Sequence, residues 1–249
     1  MFQVGNGVLH HGDVLKVLPT FDDESFDATI ADPPYCSGGR THNERLADPS
    51  KKYCHSSTGR YASFMGETRD QRSWGYWCSL WLSECWRITR PMGYVLCFVD
   101  WRQLPTLTNA MQAAGWIWRG ILSWDKTEAA RSPHTGYFRH QAEFVVWGTK
   151  GSCRRRPGEG PWPGVLRQRV DTREKCHVAG KPTELLKRLV TIVPQGGVLL
   201  DPFVGSGTGP LAAEAKDRQW VGIEMDPHWY QVAADRLRLA AATAARKAA

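Results

Sequence analysis

Short β-branched or apolar runs recur at positions 8–10, 28–31, 94–99, 120–124, 143–147, 198–200 and 220–223. Between them the spacing changes to three and four. Trp77, Leu80, Trp81, Cys85 and Ile88 fall on one helical face, as do Leu185, Leu186, Leu189, Val190 and Val193 after Pro182. A last helix is predicted from Pro227, capped by Asp226 and carrying Trp229, Tyr230, Val232 and Ala233, before it frays into an Ala/Arg/Lys tail. Strands that alternate with helices predict an α/β, Rossmann-like domain: a seven-stranded, mainly parallel sheet with helices on both faces. No internal repeat or linker interrupts the pattern, so one domain over residues 1–249 is expected.

At 249 residues with 42% hydrophobic content, the chain can build one substantial core. It contains no apolar run long enough to span a bilayer and no signal-peptide order, so a soluble, cytoplasmic protein without a membrane partner is expected. The seven cysteines are scattered without a C-x-x-C pair and read as reduced packing thiols; no metal site is expected. Most of the twelve tryptophans read as core or interface filler.

The net charge of +7 is local. Residues 36–75 hold seven Lys/Arg against four acids (+3), and residues 148–177 hold eight against three (+5), so everything else sums to −1. Both stretches are rich in Gly, Ser, Pro and His and read as long inserted loops whose charge leans toward a polyanion.

In open α/β sheets ligands bind beyond the carboxyl ends of the strands. Four predicted strand ends there carry an acid: Asp13 after Gly12, Asp32 before Pro33-Pro34-Tyr35, Asp201 before Pro202-Phe203-Val204-Gly205-Ser206-Gly207-Thr208-Gly209, and Glu224. The G-x-G turn lets backbone approach a ligand, and Pro210 is expected to open the next helix. It is no P-loop, since no Gly-Lys-Ser/Thr follows, and the third glycine of a dinucleotide fingerprint would fall on Pro210. Glu224, nineteen residues beyond Gly205, stands where a carboxylate would accept from ribose hydroxyls, so the loop suits a nucleoside without a pyrophosphate. In Asp32-Pro33-Pro34-Tyr35 neither proline offers an N–H, which makes a stiff, acceptor-only element ending in an aromatic face. Such an element suits a planar amine held by the Asp32 carboxylate and the Pro33 carbonyl.

These motifs resemble those of the S-adenosylmethionine-dependent DNA amino-methyltransferases, with their D/N/S-P-P-Y/F tetrapeptide and F-x-G-x-G loop. The tetrapeptide near the N-terminus and the loop near the C-terminus look like the permuted β class. The resemblance implies a catalytic set of Asp32, Pro33, Pro34 and Tyr35, which would accept the target amino protons and stack on a base extruded from duplex DNA. It implies S-adenosylmethionine held by Asp13, Asp32, Pro33, His177, Lys181, Asp201, Phe203, Gly205, Ser206, Gly207, Thr208 and Glu224, with no metal and no covalent intermediate, so Cys36 is not needed as a nucleophile. The basic loops would then offer Arg40, Lys51, Lys52, Arg60, Arg154, Arg155, Arg156, Arg167 and Arg169 to double-stranded DNA, and a homodimer is expected. Asp in first position favours adenine N6; the alternatives are cytosine N4, an RNA methyltransferase, or a non-catalytic nucleic-acid-binding scaffold. The chain departs from the family pattern in Thr208-Gly209, where Thr-Thr is usual, and in having only about thirty residues between Trp147 and His177 for target recognition.

Overall fold

The computed structural model describes residues 1–37, 68–130, 134–153, 156, 158–170 and 180–248. Nine strands form one sheet: β1 (Phe2–Val4), β2 (Gly7–His11), β3 (Phe26–Ala31), β4 (Thr89–Val99), β5 (Ile117–Asp125), β6 (Ala142–Thr149), β7 (Val165–Arg167), β8 (Val198–Asp201) and β9 (Gln219–Glu224). Their order is β1-β2-β9-β8-β3-β4-β6-β5-β7. All seven predicted strands are present, but among the described residues the count of seven is corrected to nine. The two additions, β1 and β7, are three residues each, too short to carry a readable period.

The block β2-β9-β8-β3-β4 is parallel throughout, while β1 and β6 pair antiparallel to its two ends. The helices are α1 (Val14–Val17), α2 (Gln71–Ile88), α3 (Leu104–Ala113), α4 (Thr183–Val190), α5 (Thr208–Glu214) and α6 (Pro227–Ala248). Three boundaries differ from expectation. α2 begins inside the stretch read as loop to residue 75, because Asp70 caps it; α5 begins at Thr208 with Pro210 in its first turn; and α6 continues to Ala248 instead of fraying. The 148–177 stretch is likewise no continuous loop, since β6 extends into it and β7 lies within it.

A parallel strand covered on both faces must be apolar at every position, and β4 is buried from Gly93 to Val99. Its side chains divide by twos. Tyr94, Leu96 and Phe98 join Ala28, Ile30, Leu199 and Trp220 in a core beneath Leu185, Leu189, Ala212 and Leu237. Val95, Cys97 and Val99 join Ala31, Leu200 and Ile223 in a second core beneath Trp74, Trp77, Trp81, Cys85, Leu107 and Met111. The chain leaves β8 through α5 toward β9 on one side, and leaves β3 through α2 toward β4 on the other. The carboxyl ends of β3 and β8 therefore flank the topological switch point, where a crevice opens. Among the described residues no helix is long and apolar enough to cross a membrane.

The Asp70 carboxylate accepts from the backbone N–H groups of Arg72 (2.9 Å) and Ser73 (2.8 Å), satisfying two of the unpaired donors at the start of α2. Asp70→Ala should lower unfolding stability by about 1 kcal/mol in urea titrations, while Asp70→Asn should recover most of that loss.

Candidate active site

The four acids read from the sequence stand in a row along the carboxyl edge. Asp13 lies just past β2, Glu224 ends β9, Asp201 ends β8 and Asp32 follows β3, on four adjacent parallel strands. Asp13 caps α1, its Oδ1 accepting from Leu15 N at 2.9 Å.

Asp201 is 6% exposed, and its Oδ1 accepts from Phe203 N at 3.1 Å. Burial, together with the nearby Asp32 and Glu224 carboxylates, pushes its pKa up to about 8 against the pull of that N–H. Glu224 is raised to about 7, again chiefly by burial, although Gly205 N (2.7 Å) and Asp226 N (2.8 Å) donate to its two oxygens. Among the described residues neither acid pairs with a lysine or arginine. They form an acceptor-rich wall suited to a cationic or hydroxyl-bearing ligand.

The glycine loop is shaped by left-handed backbone at Gly205 (φ 53°) and Gly207 (φ 91°), and a Cβ at Gly205 would meet nothing within 4 Å, which leaves open space in front of that backbone. Ser206 turns the other way: it is 5% exposed, and its carbonyl and Oγ accept from Arg236 on α6. Its side chain thereby shapes the loop. The Phe203 ring packs against Trp77 and Trp81 of α2 (centroids 5.5 and 5.1 Å), tying the loop to the opposite face. The departure at Gly209 also has a physical reason. A Cβ there would lie 2.1 Å from Asp201 Oδ2, so the Asp201 carboxylate occupies the space a threonine would need.

The tetrapeptide is held from behind. Trp74 Nε1 donates to the Pro34 carbonyl (2.7 Å), Gln103 Nε2 to the Tyr35 carbonyl (3.0 Å) and Arg102 to the Ser37 carbonyl (2.7 Å). Cys36 is buried, with Sγ 3.9 Å from the Pro34 carbonyl. Toward the crevice, Tyr35 Oη donates to Asp32 Oδ1 at 2.8 Å, and Lys181 Nζ reaches both Asp32 oxygens at 2.8 and 2.9 Å. The same ammonium lies 3.4 Å from Glu143 Oε2, and Lys126 holds the other Glu143 oxygen at 3.1 Å. Lys181, expected beside a cofactor, is thus brought onto the Asp32 carboxylate. Burial raises the Asp32 pKa, with Glu143 adding to the rise and Lys181 and Tyr35 opposing it; burial alone would also raise Glu143, but Lys181 and Lys126 bring it below its usual value.

Glu143, Trp74, Gln103 and Arg236 were not singled out from the sequence. The available signal was an acid in an otherwise apolar strand for Glu143; Trp74 was passed over as filler. Of the basic candidates, Arg156 is corrected: its guanidinium donates to Glu159 and to the Ile192 carbonyl (both 2.8 Å), and its side chain is 13% exposed. Arg167 and Arg169 are exposed at and just beyond the end of β7, whose parallel pairing with β5 places them on the carboxyl edge. Arg40, Lys51, Lys52, Arg60, Arg154, Arg155 and His177 lie outside the described residues. Among the described residues no group of three or more His, Cys, Asp or Glu could hold a metal ion.

A carboxyl whose folded-state pKa exceeds its unfolded value binds its proton more tightly when folded, so its stabilising effect is full near the ordinary carboxylate range and fades as pH rises through the folded value. Asp201 and Glu224 both have this sign, over a window from their ordinary values of 3.8 and 4.5 up to about 8 and about 7. The melting temperature should therefore fall as pH is raised from about 5 to about 8, with Asp201→Asn flattening the upper part of that slope. A slope identical in wild type and variant would overturn the assignment.

Comparison with known proteins identifies the family. A family model described as DNA methylase matches residues 26–159 and 154–235. The chain is similar to the type II methyltransferase M2.DpnII of Streptococcus pneumoniae, 26% identical over 248 residues that cover 92% of this chain and 89% of that protein. It is also similar to the type II methyltransferase M.HinfI of Haemophilus influenzae, 26% identical over 252 residues covering 91% and 67%. Two solved structures share the fold. One is TTHA0409 of Thermus thermophilus, a putative DNA modification methylase complexed with S-adenosyl-L-methionine, at TM-score 0.69, 20% identity and 94% coverage of both chains. The other is the cytosine-N4-specific PvuII DNA methyltransferase, at TM-score 0.70 and 17% identity, covering 95% of this chain and 87% of that one. The stretch matched by the family model runs from β3 into α6 and so contains Asp32, Asp201, the glycine loop and Glu224, and the chain belongs to the N6/N4 family of DNA methylases.

Proposed function

We propose that the protein transfers the methyl group of S-adenosylmethionine to the exocyclic N6 amine of an adenine extruded from duplex DNA, and that one domain over residues 1–249 carries the activity. The observation that carries this reading is the juxtaposition at the switch point between β3 and β8: an acceptor-only Asp32-Pro33-Pro34-Tyr35 segment stands beside the buried Asp201 and the part-buried Glu224, which have no basic partner among the described residues, and a glycine loop open in front of Gly205. That set of acceptors fits S-adenosylmethionine, whose hydroxyls, amine and positive charge call for acceptors and anions. Asp13, Asp201, Glu224 and the backbone of residues 205–208 would hold it, with Phe203 packing the loop from beneath.

When bound, the cofactor supplies an electrophilic methyl, so the protein needs no nucleophile of its own. Its residues hold and orient. Asp32 Oδ and the Pro33 carbonyl accept the amine protons, which draws the nitrogen lone pair out of conjugation and directs it toward the methyl. Tyr35 presents its ring to the base while its hydroxyl keeps the Asp32 carboxylate oriented. Asp in the first position of the tetrapeptide favours adenine; cytosine N4 poses the same chemical problem and is the second reading, since the family covers both amines. Arg167 and Arg169 are the described basic residues placed to meet phosphates. The activity belongs in the cytoplasm, at the nucleoid.

The test is to incubate unmethylated DNA with the protein and S-adenosylmethionine and read modified bases by sequencing, which reports base and sequence context together. N6-methyladenine in one sequence context is expected, N4-methylcytosine would select the second reading, and no modified base would overturn both. Asp32→Ala should reduce transfer by at least about a thousandfold while cofactor affinity changes by less than about threefold; retained turnover would remove Asp32 from its assigned role.

A homodimer is the expected assembly. Most described tryptophans are buried, which leaves Trp86, Trp101 and Trp118 (37%, 58% and 41% exposed) as candidate anchors. Sedimentation should give about twice the 28.0 kDa chain mass; a fully active monomer would count against the dimer.

A further inference from the structure

Asp32 is engaged on its crevice side before any substrate arrives. Lys181 Nζ lies 2.8 Å from Oδ1 and 2.9 Å from Oδ2, and Tyr35 Oη donates to Oδ1 as well. A carboxylate presents about four lone-pair sites, and Lys181 and Tyr35 make three contacts with this one, so a target amine drawn close to it competes with what Lys181 holds. The ammonium cannot retire to water, because the Lys181 side chain is 7% exposed. A buried cation that loses its counter-charge is strongly disfavoured unless another anion takes it.

Glu143 is placed to be that anion. It sits on β6, and its Oε2 lies 3.4 Å from the Lys181 ammonium. Its other oxygen is fixed by Lys126 at 3.1 Å, and Lys126 follows directly on β5, the strand paired with β6. The rings of Tyr35 and Phe98 stand 5.1 and 5.2 Å from the ammonium, so it is flanked by aromatic faces that favour a cation.

We infer that Glu143 is a positioning residue for methyl transfer: it receives the Lys181 ammonium when Asp32 takes up the target amine, and so frees the Asp32 carboxylate at little cost. The step breaks no covalent bond and moves no proton; lysine remains cationic and both carboxylates remain ionised. The inference rests on the reading given under Proposed function.

The groups facing Asp32 are Lys181, Tyr35, Glu143, Asp201 across the crevice and Cys97 beneath, with Lys126 acting through Glu143. Glu143→Gln removes a negative charge that opposes ionisation of Asp32, so the acid limb of kcat should move to lower pH. Lys181, without Glu143 to receive it, should hold Asp32 more firmly, and the kcat plateau should fall at least tenfold while the Kd for S-adenosylmethionine stays within about twofold. Lys181→Met should move the acid limb the other way, to higher pH, because the part-buried Asp32 then loses its cation. Glu143→Asp should restore part of kcat. Loss of a merely structural counter-ion to Lys126 would lower the melting temperature without moving the limb.

Titration of the Asp32 carboxyl by carbon-13 NMR on the protein alone measures the same coupling without DNA: downward in Glu143→Gln, upward in Lys181→Met. An unchanged Asp32 titration in Glu143→Gln, or full kcat with an unmoved acid limb in that variant, would overturn the inference. Wild-type protein that methylates no DNA would instead overturn the reading under Proposed function, while the NMR titration would still decide whether Glu143 controls Asp32.

Discussion

The structure depends on keeping a carboxylate ionised in a place that disfavours charge. Asp32 stands at the carboxyl end of a central strand, with Asp201 and Glu224 on the next two strands, and burial pushes all three toward the protonated form. A protonated Asp32 would lose its negative charge and turn one oxygen into a donor, so it would hold an amine by its hydrogens less strongly. Lys181 is the local counterweight: burial alone would lower its pKa, but Asp32 and Glu143 together hold it above the usual lysine value, so the ion pair sustains itself. Asp201 and Glu224 have no such partner among the described residues, and that contrast separates the two ends of the crevice. One end carries its own cation; the other presents uncompensated acceptors to a ligand.

Rigidity follows from the same geometry. A segment rich in carbonyls and poor in N–H groups cannot satisfy itself, so donors must come from outside. Trp74, Gln103 and Arg102 supply them to the carbonyls of Pro34, Tyr35 and Ser37. Trp74 is fully buried in the core between α2 and the sheet, so displacing its indole would disturb that core as well as the tetrapeptide. The glycine loop is held in the same manner, by Phe203 against Trp77 and Trp81 on one face and by Arg236 on Ser206 from the other. The proline segment is stiff by composition and the glycine loop flexible, and both are fixed in place by context, as groups that must meet a ligand in one orientation need to be.

Most of this was legible in the sequence where a local rule has no competing outcome. Pro33 and Pro34 restrict the backbone whatever surrounds them, so the tetrapeptide could be read as an acceptor-only element. The seven apolar runs read as strands and the amphipathic face containing Trp77, Trp81, Cys85 and Ile88 also emerged as expected, although Leu80 is partly exposed. What escaped depends on partners distant along the chain. Glu143 reads as one acid in a strand until the fold brings Lys181 to it, and Trp74 reads as filler until its N–H meets Pro34. The short strands β1 and β7 gain order by pairing with longer neighbours and carry too few residues to announce themselves.

Charge was the least transferable signal, for a physical reason. A count over a stretch treats every lysine and arginine as outward-facing, whereas this fold uses several as internal fasteners. Lys150 donates to the carbonyls of Arg87 and Thr89 with only 12% of its side chain exposed, and Arg156 is packed over the rings of Tyr94 and Trp162. Both belong to the strongly basic stretch 148–177, so part of its +5 closes the sheet and does not face a polyanion. Arg167 differs because β7 ends on the same edge as Asp32, and its contacts with Asp125 and Glu128, at 3.6 and 3.7 Å, leave it 64% exposed. Exposure at the carboxyl edge, and not membership of a basic run, distinguishes a cation that can meet phosphate from one already committed to the fold.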